Sequence, residues 1–528
     1  MTQEQIRKIE KELWDAADAL RANSKLTAAE YKDPVLGLVL LRFAQNKYEE
    51  AKPIVEAKIP SGPRGKRAAT KEDFLAAGAI MLPEVAKYEY LAALPESVDI
   101  ADAINNAMKV IEAEYPDLQG NLPKNYQEFE SDLLRELIRV FNKDAVKKAT
   151  GDVFGRIYEY FLMKFSMQGA GAQEGGEFFT PPSLVQLIVN FIEPDHGIIH
   201  DPACGSGGMF VQTGYFVKDH TNKEVNEAIK CYGTEQKTNN TRLAKINLAI
   251  HGIEGKIIEA NSFYSDPHHL LGQCDFVMAN PPFNVNKVDK GKDFVKTDPR
   301  LPFGLPKSDN ANYMWMQYFY SYLKHDPLKG TGGRAGFVMA SSATDAGHSE
   351  KLIRQQLIES GAVDCIVSVS NNFFYTRSLP CHLWFYDRGK RPENRDKILM
   401  IDARNVFRKV TTTINDFSPE QLEGLTAIMK LYRGETAELD QDNSWFNERF
   451  PDGKYQDIEG LCKIVSLDDV RENDYSLTPG RYVGVTLQAD DDFDYKVRLV
   501  EIQEELNGLN SESEKLSKTI ARNLKELI

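Results

Sequence analysis

Asn280-Pro281-Pro282-Phe283 is a tetrapeptide whose residue types suit the grip of a planar amino group. The Asn280 side-chain oxygen and the Pro281 carbonyl are two acceptors that one exocyclic NH2 can meet together. Two prolines fix φ and stiffen that backbone, and Phe283 offers a face for a base to stack on. Upstream stands a glycine-rich turn, Asp201-Pro202-Ala203-Cys204-Gly205-Ser206-Gly207-Gly208. Glycines let a backbone approach a ligand closely, and N–H groups at a helix start meet a carboxylate or another anion. The spacing is neither G-x-G-x-x-G nor G-x-x-x-x-G-K-[ST], which removes the dinucleotide and P-loop fingerprints. Each feature also has a plain reading: a strand-ending proline turn, a tight turn, and in Cys204 a small residue tolerated beside glycines.

The elements that must position these residues follow from apolar patterning. Gly197-Ile198-Ile199 reads as a strand before the glycine turn, and 209–216 as the helix after it. Strand, glycine turn and helix make up a nucleotide-type cofactor site in a doubly wound sheet. Lys230-Cys231-Tyr232-Gly233 reads as a second strand with Glu235 just past its end. An acid there takes a ribose hydroxyl pair, or simply caps a helix. Lys256-Ile257-Ile258-Glu259 reads as a third strand, ending at Asn261, which could reach an adenine edge or form a turn. Phe276-Val277-Met278-Ala279 is the buried strand that delivers Asn280. Further strands are expected at 336–340, 362–369, 382–386 and 398–401, alternating with helices as in a parallel α/β sheet. In such a sheet ligands bind at the strands' carboxyl ends. The aromatics of Asn371-Asn372-Phe373-Phe374 could line a pocket or pack.

The glycine turn and Asn280-Pro281-Pro282-Phe283 resemble motifs I and IV of S-adenosylmethionine-dependent amino-methyltransferases acting on DNA. Glu177-Phe178-Phe179-Thr180-Pro181 resembles motif X of the adenine enzymes in which that motif comes first. Over nearly its full length the chain is similar to the modification (M) subunit of type I restriction–modification systems. Pro182 stands where that family often has Arg, which puts a polar contact at 182 in doubt. The resemblance implies an α/β, doubly wound methyltransferase sheet with an N-terminal all-helical domain and a C-terminal helical, coiled-coil tail. It implies S-adenosyl-L-methionine as cofactor, held by Glu177, Phe178, Phe179, Thr180, Pro181, Pro182, Asp201, Ala203, Gly205, Ser206, Gly207, Gly208, Glu235 and Asn261. It also implies transfer of a methyl group to N6 of a flipped-out adenine, with Asn280, Pro281, Pro282 and Phe283 as the catalytic set. The alternatives are a glutamine or RNA N-methyltransferase, or a non-catalytic partner scaffold.

Composition is that of an ordinary globular protein: 528 residues, 42% hydrophobic and 27% charged. No apolar run is long enough for a membrane span. Six cysteines (Cys204, Cys231, Cys274, Cys365, Cys381, Cys462) form no Cys-x-x-Cys pair, so no metal site is expected and a reducing cytoplasm fits. Against 64 basic residues stand 78 acidic ones, a net charge of −14, where unaided duplex binders show a basic footprint. Two local basic candidates exist. One is the Pro/Gly loop at 58–67. The other is the segment with Lys287, Lys290, Lys292, Lys296, Arg300 and Lys307, read either as a solvated loop or as one that closes over DNA.

Four segments are expected: a helical domain at 1–168, the catalytic domain at 169–410, an extension at 411–486 and a partner-docking tail at 487–528. In the tail Leu499, Ile502, Leu506, Leu509, Ser513, Leu516, Ile520, Asn523 and Leu527 recur at alternating steps of three and four, a heptad seam that either packs back on the chain's own helical domain or docks on a partner. The resemblance makes its partner the specificity (S) subunit, two M subunits per S, with a restriction (R) subunit as a further possible member. DNA is the substrate, and its target sequence is not written in this chain. The segment 475–483 resembles one common near the end of these subunits, and its role does not follow from the residues.

Overall fold

A computed structural model describes residues 3–59, 61–62, 65–149, 180–326, 328–374, 380–411, 414–437 and 443–484, with isolated positions at 157–158, 160–161, 164–165, 439, 503 and 513. Residues Met1–Val483 make up one unit and Gly484–Ile528 a second. The heptad seam falls in the second unit, where beyond Gly484 only 503 and 513 are described, so that expectation lies outside the described residues.

Helices dominate the first 149 residues. The main ones are α1 (Gln3–Ala22), α2 (Ala28–Lys58), α3 (Ile100–Glu114) and α4 (Ser131–Phe141). Thr27 and Glu30 start α2 with a reciprocal capping box, two backbone N–H groups being met by side chains. The apolar faces of these helices close on one core around Leu38, Phe43, Ile104, Leu134 and Leu137. The candidate loop at 58–67 contains a short antiparallel ladder, Ser61–Gly62 against Gly65–Lys66. Two of its cations are paired: Lys58 with Glu224 at 3.8 Å, and Arg67 with Asp73.

After α5 (Pro182–Ile192) the strands come in the expected order. They are β1 (Gly197–Asp201), β2 (Ile229–Glu235), β3 (Gly255–Glu259), β4 (Phe276–Ala279), β5 (Arg334–Ala340), β6 (Val363–Val369), β7 (Cys381–Asp387), β8 (Lys397–Ala403) and β9 (Cys462–Ser466). They form one sheet in the order β9-β8-β6-β7-β5-β4-β1-β2-β3. From β3 to β5 every pairing is parallel. β7 runs antiparallel between β5 and β6. β8 is parallel to β6, and β9, contributed by the 411–486 segment, closes the edge antiparallel to β8. Near-continuous apolar residues in β4 to β8 reflect burial on both faces, one lined by Ile188, Phe385 and Ile428, the other by Phe319, Phe337 and Trp384.

Helices α6 (Gly208–His220) and α7 (Thr238–Ile250) cross between β1, β2 and β3, and α8 (Asn312–Tyr322) precedes β5. α7 joins the two halves of the unit. Its Ile246 lies in the helical core, Arg242 donates to the Asn121 carbonyl, and His251 at its end meets the Phe43 ring edge-on at 4.9 Å. The 475–483 segment is a strap on the sheet domain. Leu477 N–H donates to the Thr344 carbonyl, and Thr478 Oγ1 donates to Asp345 at 2.8 Å. No helix among the described residues is long and apolar enough to cross a membrane.

Candidate active site

Along the carboxyl edge of β1, β2, β3 and β4 lies a cavity of about 400 Å³. Its wall includes Thr180, Pro182, Asp201, Ala203, Gly205, Ser206, Gly208, Glu235, Asn261, Asn280, Pro281 and Pro282. Residues a hundred and more positions apart in sequence therefore meet, because adjacent parallel strands end at the same level. Pro181, Gly207 and Phe283 stand outside the wall. Pro181 caps α5, its carbonyl accepting from Leu184 and Val185 N–H. Phe283 is half-buried and edge-on to Phe374, ring centroids 6.2 Å apart. Phe373 packs on Phe417 at 4.6 Å, deep in the core. Glu177, Phe178 and Phe179 lie outside the described residues.

The glycine turn is held by its own hydrogen bonds. Gly205 and Gly207 adopt φ of 53° and 79°, the left-handed region that side chains disfavour. At Gly207 a Cβ would also stand 2.9 Å from Leu248 Cδ1. Gly205 N–H donates to Glu235 Oε2 at 3.0 Å, and Gly207 N–H donates to the Cys204 carbonyl at 2.8 Å. Glu235 Oε1 accepts from Lys237 N–H at 2.8 Å, so this carboxylate bridges β2's end to the turn. Asn247 Nδ2 donates to the Ser206 carbonyl at 3.0 Å, clasping the turn from α7.

Burial shapes the electrostatics. Asp201 is 1% exposed and lines the cavity. Desolvation pushes its carboxyl well above the usual range, the Ala203 N–H bond pulls it back, and the charge of Glu235 pushes it up again. Two acids so placed favour a ligand that brings positive charge. Burial pushes the Cys204 thiol well up, so it is no thiolate nucleophile. Within β1, His200 is lowered to about 3 by burial and stays neutral, its Nδ1–H meeting the Tyr232 carbonyl at 2.9 Å.

Asn280 differs from the bonded groups of the turn. Its Nδ2 donates to Thr180 Oγ1 at 2.9 Å. That bond sets the amide plane and leaves Oδ1 as a buried acceptor with no hydrogen-bond partner among the described residues. A buried carbonyl oxygen left unmet costs free energy, and such atoms cluster where a ligand is to supply the donor. The backbone beyond is braced by asparagines. Asn284 has a φ of 53°, its N–H donates to Asn312 Oδ1, and its own Oδ1 accepts from Asn310 and Asn312.

The lysine-bearing segment after the tetrapeptide is anchored rather than free. Arg300 and Asp298 form an ion pair at 2.7 Å with both side chains 1% exposed, and Arg300 also donates to the Ser262 carbonyl. Lys290 Nζ donates to the Pro306 carbonyl, and Lys292 lies 4.1 Å from the Tyr264 ring centre. Lys287, Lys296 and Lys307 remain exposed at its surface. Several further wall residues are not among those expected from the sequence. Phe263, 5% exposed, sits on Trp315 at 4.6 Å, and Tyr264, Gln236, Lys237 and Lys32 also belong to the lining. Phe263 was readable as the aromatic following the third strand's polar turn; Trp315 and Lys32 arrive from distant helices.

The N-6 DNA Methylase family matches residues 149–491, and the HsdM N-terminal domain matches 9–141. The type I restriction enzyme MjaIX methylase subunit of Methanocaldococcus jannaschii is 35% identical over 96% of this chain and 89% of its own length. The HindI methylase subunit of Haemophilus influenzae is 32% identical over 80% of this chain and 92% of its own. A type I restriction–modification methyltransferase subunit from Streptococcus thermophilus shares the fold with a TM-score of 0.67 at 21% identity, over 91% of this chain and all of that one. The chain belongs to the N-6 DNA methylase family, among the methylase subunits of type I restriction enzymes.

Proposed function

We propose that this methylase subunit methylates adenine N6 in duplex DNA with Asn280 as the grip on the reacting nitrogen and S-adenosylmethionine in the cavity beside it. The observation that carries the residue assignment is the unmet Asn280 Oδ1, oriented by Thr180 at the cavity wall. Adenine N6 is out of reach inside a duplex, so the base is extruded first. Asn280 Oδ1 and the Pro281 carbonyl accept the two N6 hydrogens. Held so, the nitrogen lone pair is freed from the ring, and positive charge developing on it is stabilised by two fixed dipoles. Phe283, half-buried beside Phe374, stacks on the base.

The wall fits the cofactor on its own chemistry. Glu235 accepts from Gly205 and Lys237 N–H, one through each oxygen, which fixes its carboxylate at the end of β2 where a ribose diol would lie. Asn261 uses Oδ1 to receive Phe263 N–H at 2.9 Å, leaving its amide nitrogen to donate to an adenine edge while Phe263 covers the ring. Asp201 and Glu235 complement a cation. When bound, S-adenosylmethionine supplies a methyl group activated by its sulfonium. The six free cysteines, all buried, suit a reducing cytoplasm.

The net charge of −14 and the heptad tail support a division of labour in which a specificity subunit reads the DNA and docks the tail, two methylase subunits to one reader, with a restriction subunit as an optional addition. The four-segment division at 168, 410 and 486 belongs to this proposal. The test is co-expression with the specificity subunit, transfer of labelled methyl to plasmid DNA, and mapping of the modified base. N6-methyladenine that disappears with Asn280→Ala is expected. Methyl found on cytosine N4, on RNA or on a peptide glutamine overturns the reading.

A further inference from the structure

Lys32 enters the cavity wall from the helical half of the molecule. It stands in the first turns of α2, directly after the Thr27–Glu30 capping box. α2 packs against α7, which sends Ile246 into the helical core and Asn240, Leu243 and Asn247 into the cavity wall. Asn247 holds the Ser206 carbonyl, so Lys32 is tied to the glycine turn through a single intervening helix. Of the three lysines in the wall, Lys237 and Lys287 are exposed and Lys32 is half-buried. Among the described residues Lys32 has neither an ion-pair nor a hydrogen-bond partner. A partly desolvated ammonium left unpaired is unfavourable, so a ligand anion is the natural complement.

The rest of the wall leaves that role open. The turn's Gly205 N–H is committed to Glu235 and its Gly207 N–H to Cys204. The wall's acids, the buried Asp201 and the Glu235 assigned to the ribose, offer the cofactor's carboxylate no positive partner. We propose that Lys32 is the counter-charge for the carboxylate of the cofactor's methionine half, so that the N-terminal helical domain completes the cofactor site. This rests on the S-adenosylmethionine reading above. A DNA phosphate is the competing anion; the exposed Lys237 and Lys287 suit it better than a half-buried lysine does.

The test is calorimetric titration of the full chain with S-adenosylmethionine and with its decarboxylated analogue, which keeps both positive charges. Lys32→Met is expected to weaken S-adenosylmethionine about tenfold, the size of one lost charge-assisted contact. The decarboxylated analogue is expected to bind Lys32→Met as well as wild type or better, since a like charge is gone. Lys32→Arg is expected to keep most of the affinity for S-adenosylmethionine. Equal weakening of both ligands, or of neither, overturns the proposal; loss confined to DNA binding assigns Lys32 to phosphate instead. A wild-type chain that binds neither ligand overturns the cofactor reading, and Lys32's role with it. Lys32→Gln, run in parallel with a thermal melt, carries the comparison if the methionine variant fails to fold.

Discussion

The glycine turn after β1 and the Asn-Pro-Pro turn after β4 stand on neighbouring parallel strands, yet they treat their polar groups in opposite ways. The glycine turn closes on itself: Gly205, Gly207, Ser206 and Ala203 all have protein partners, and Glu235 and Asn247 brace it from two other elements. The proline turn leaves Asn280 Oδ1 buried and unmet while its other amide atom is tied to Thr180. A surface that only has to hold a ligand can be finished in advance. On the proposed reading Asn280 acts on the reacting nitrogen and must keep a vacancy for it, and stiffness comes from proline and from one side-chain bond rather than from saturation.

The sharpest way to break that contrast is Asn280→Ala. Removing one preorganised acceptor is expected to cost about 10²–10³ in methyl-transfer rate, by analogy with loss of one oxyanion-hole donor. Binding of S-adenosylmethionine should stay within about threefold, because the proposed cofactor contacts do not include Asn280. Parallel loss of rate and binding would show the two turns to be one site. Glu235→Ala should do the reverse. It strands the Gly205 and Lys237 N–H groups, each bonded to a charged acceptor worth about 1.5–3 kcal/mol. Cofactor affinity measured by titration should fall about tenfold to a hundredfold, with rate at saturating cofactor less affected. Gly207→Ala forces a Cβ into the left-handed region and against Leu248. A stability loss of about 1–2 kcal/mol is expected from the backbone alone, read as a lower thermal midpoint.

Much of this edge is legible in the sequence, because turns are written locally. Glycines at 205 and 207 announce positive φ, the prolines at 281 and 282 announce rigidity, and apolar runs announce β1 to β4 in order. What decides function at those turns is only half local. Thr180 orients Asn280 across a hundred residues of chain, and no spacing rule predicts that pairing. The segment carrying Lys287 to Lys307 reads equally as a solvated loop or a closing one, whereas Arg300 turns out to be buried with Asp298 against Ser262. A charge count sees six cations there; burial and pairing remove Arg300 and occupy Lys290. Strand β9 is likewise invisible as a member of the catalytic sheet, since its pairing with β8 depends on a chain reversal beyond residue 403. Trp315 and Lys32 reach the cavity only because helices bring them there.

The smallest effect is the most discriminating, because it touches the vacancy without filling or removing it. Thr180→Val is nearly isosteric and deletes only the oxygen that accepts from Asn280 Nδ2. The Asn280 amide keeps its position on the proline turn but loses the bond that distinguishes its two ends. A neutral hydrogen bond of this kind is worth about 0.5–1.5 kcal/mol, so the rate should fall roughly threefold to tenfold. Since the reacting base supplies donors, the amide is drawn back to the productive orientation once adenine is in place. The loss should therefore be largest at low DNA concentration, in kcat/KM rather than in kcat. A loss as deep as that of Asn280→Ala would mean that Thr180 touches the base or cofactor itself. No loss at all would mean that the prolines alone hold the amide, and that the vacancy at Oδ1 owes nothing to the 180 segment.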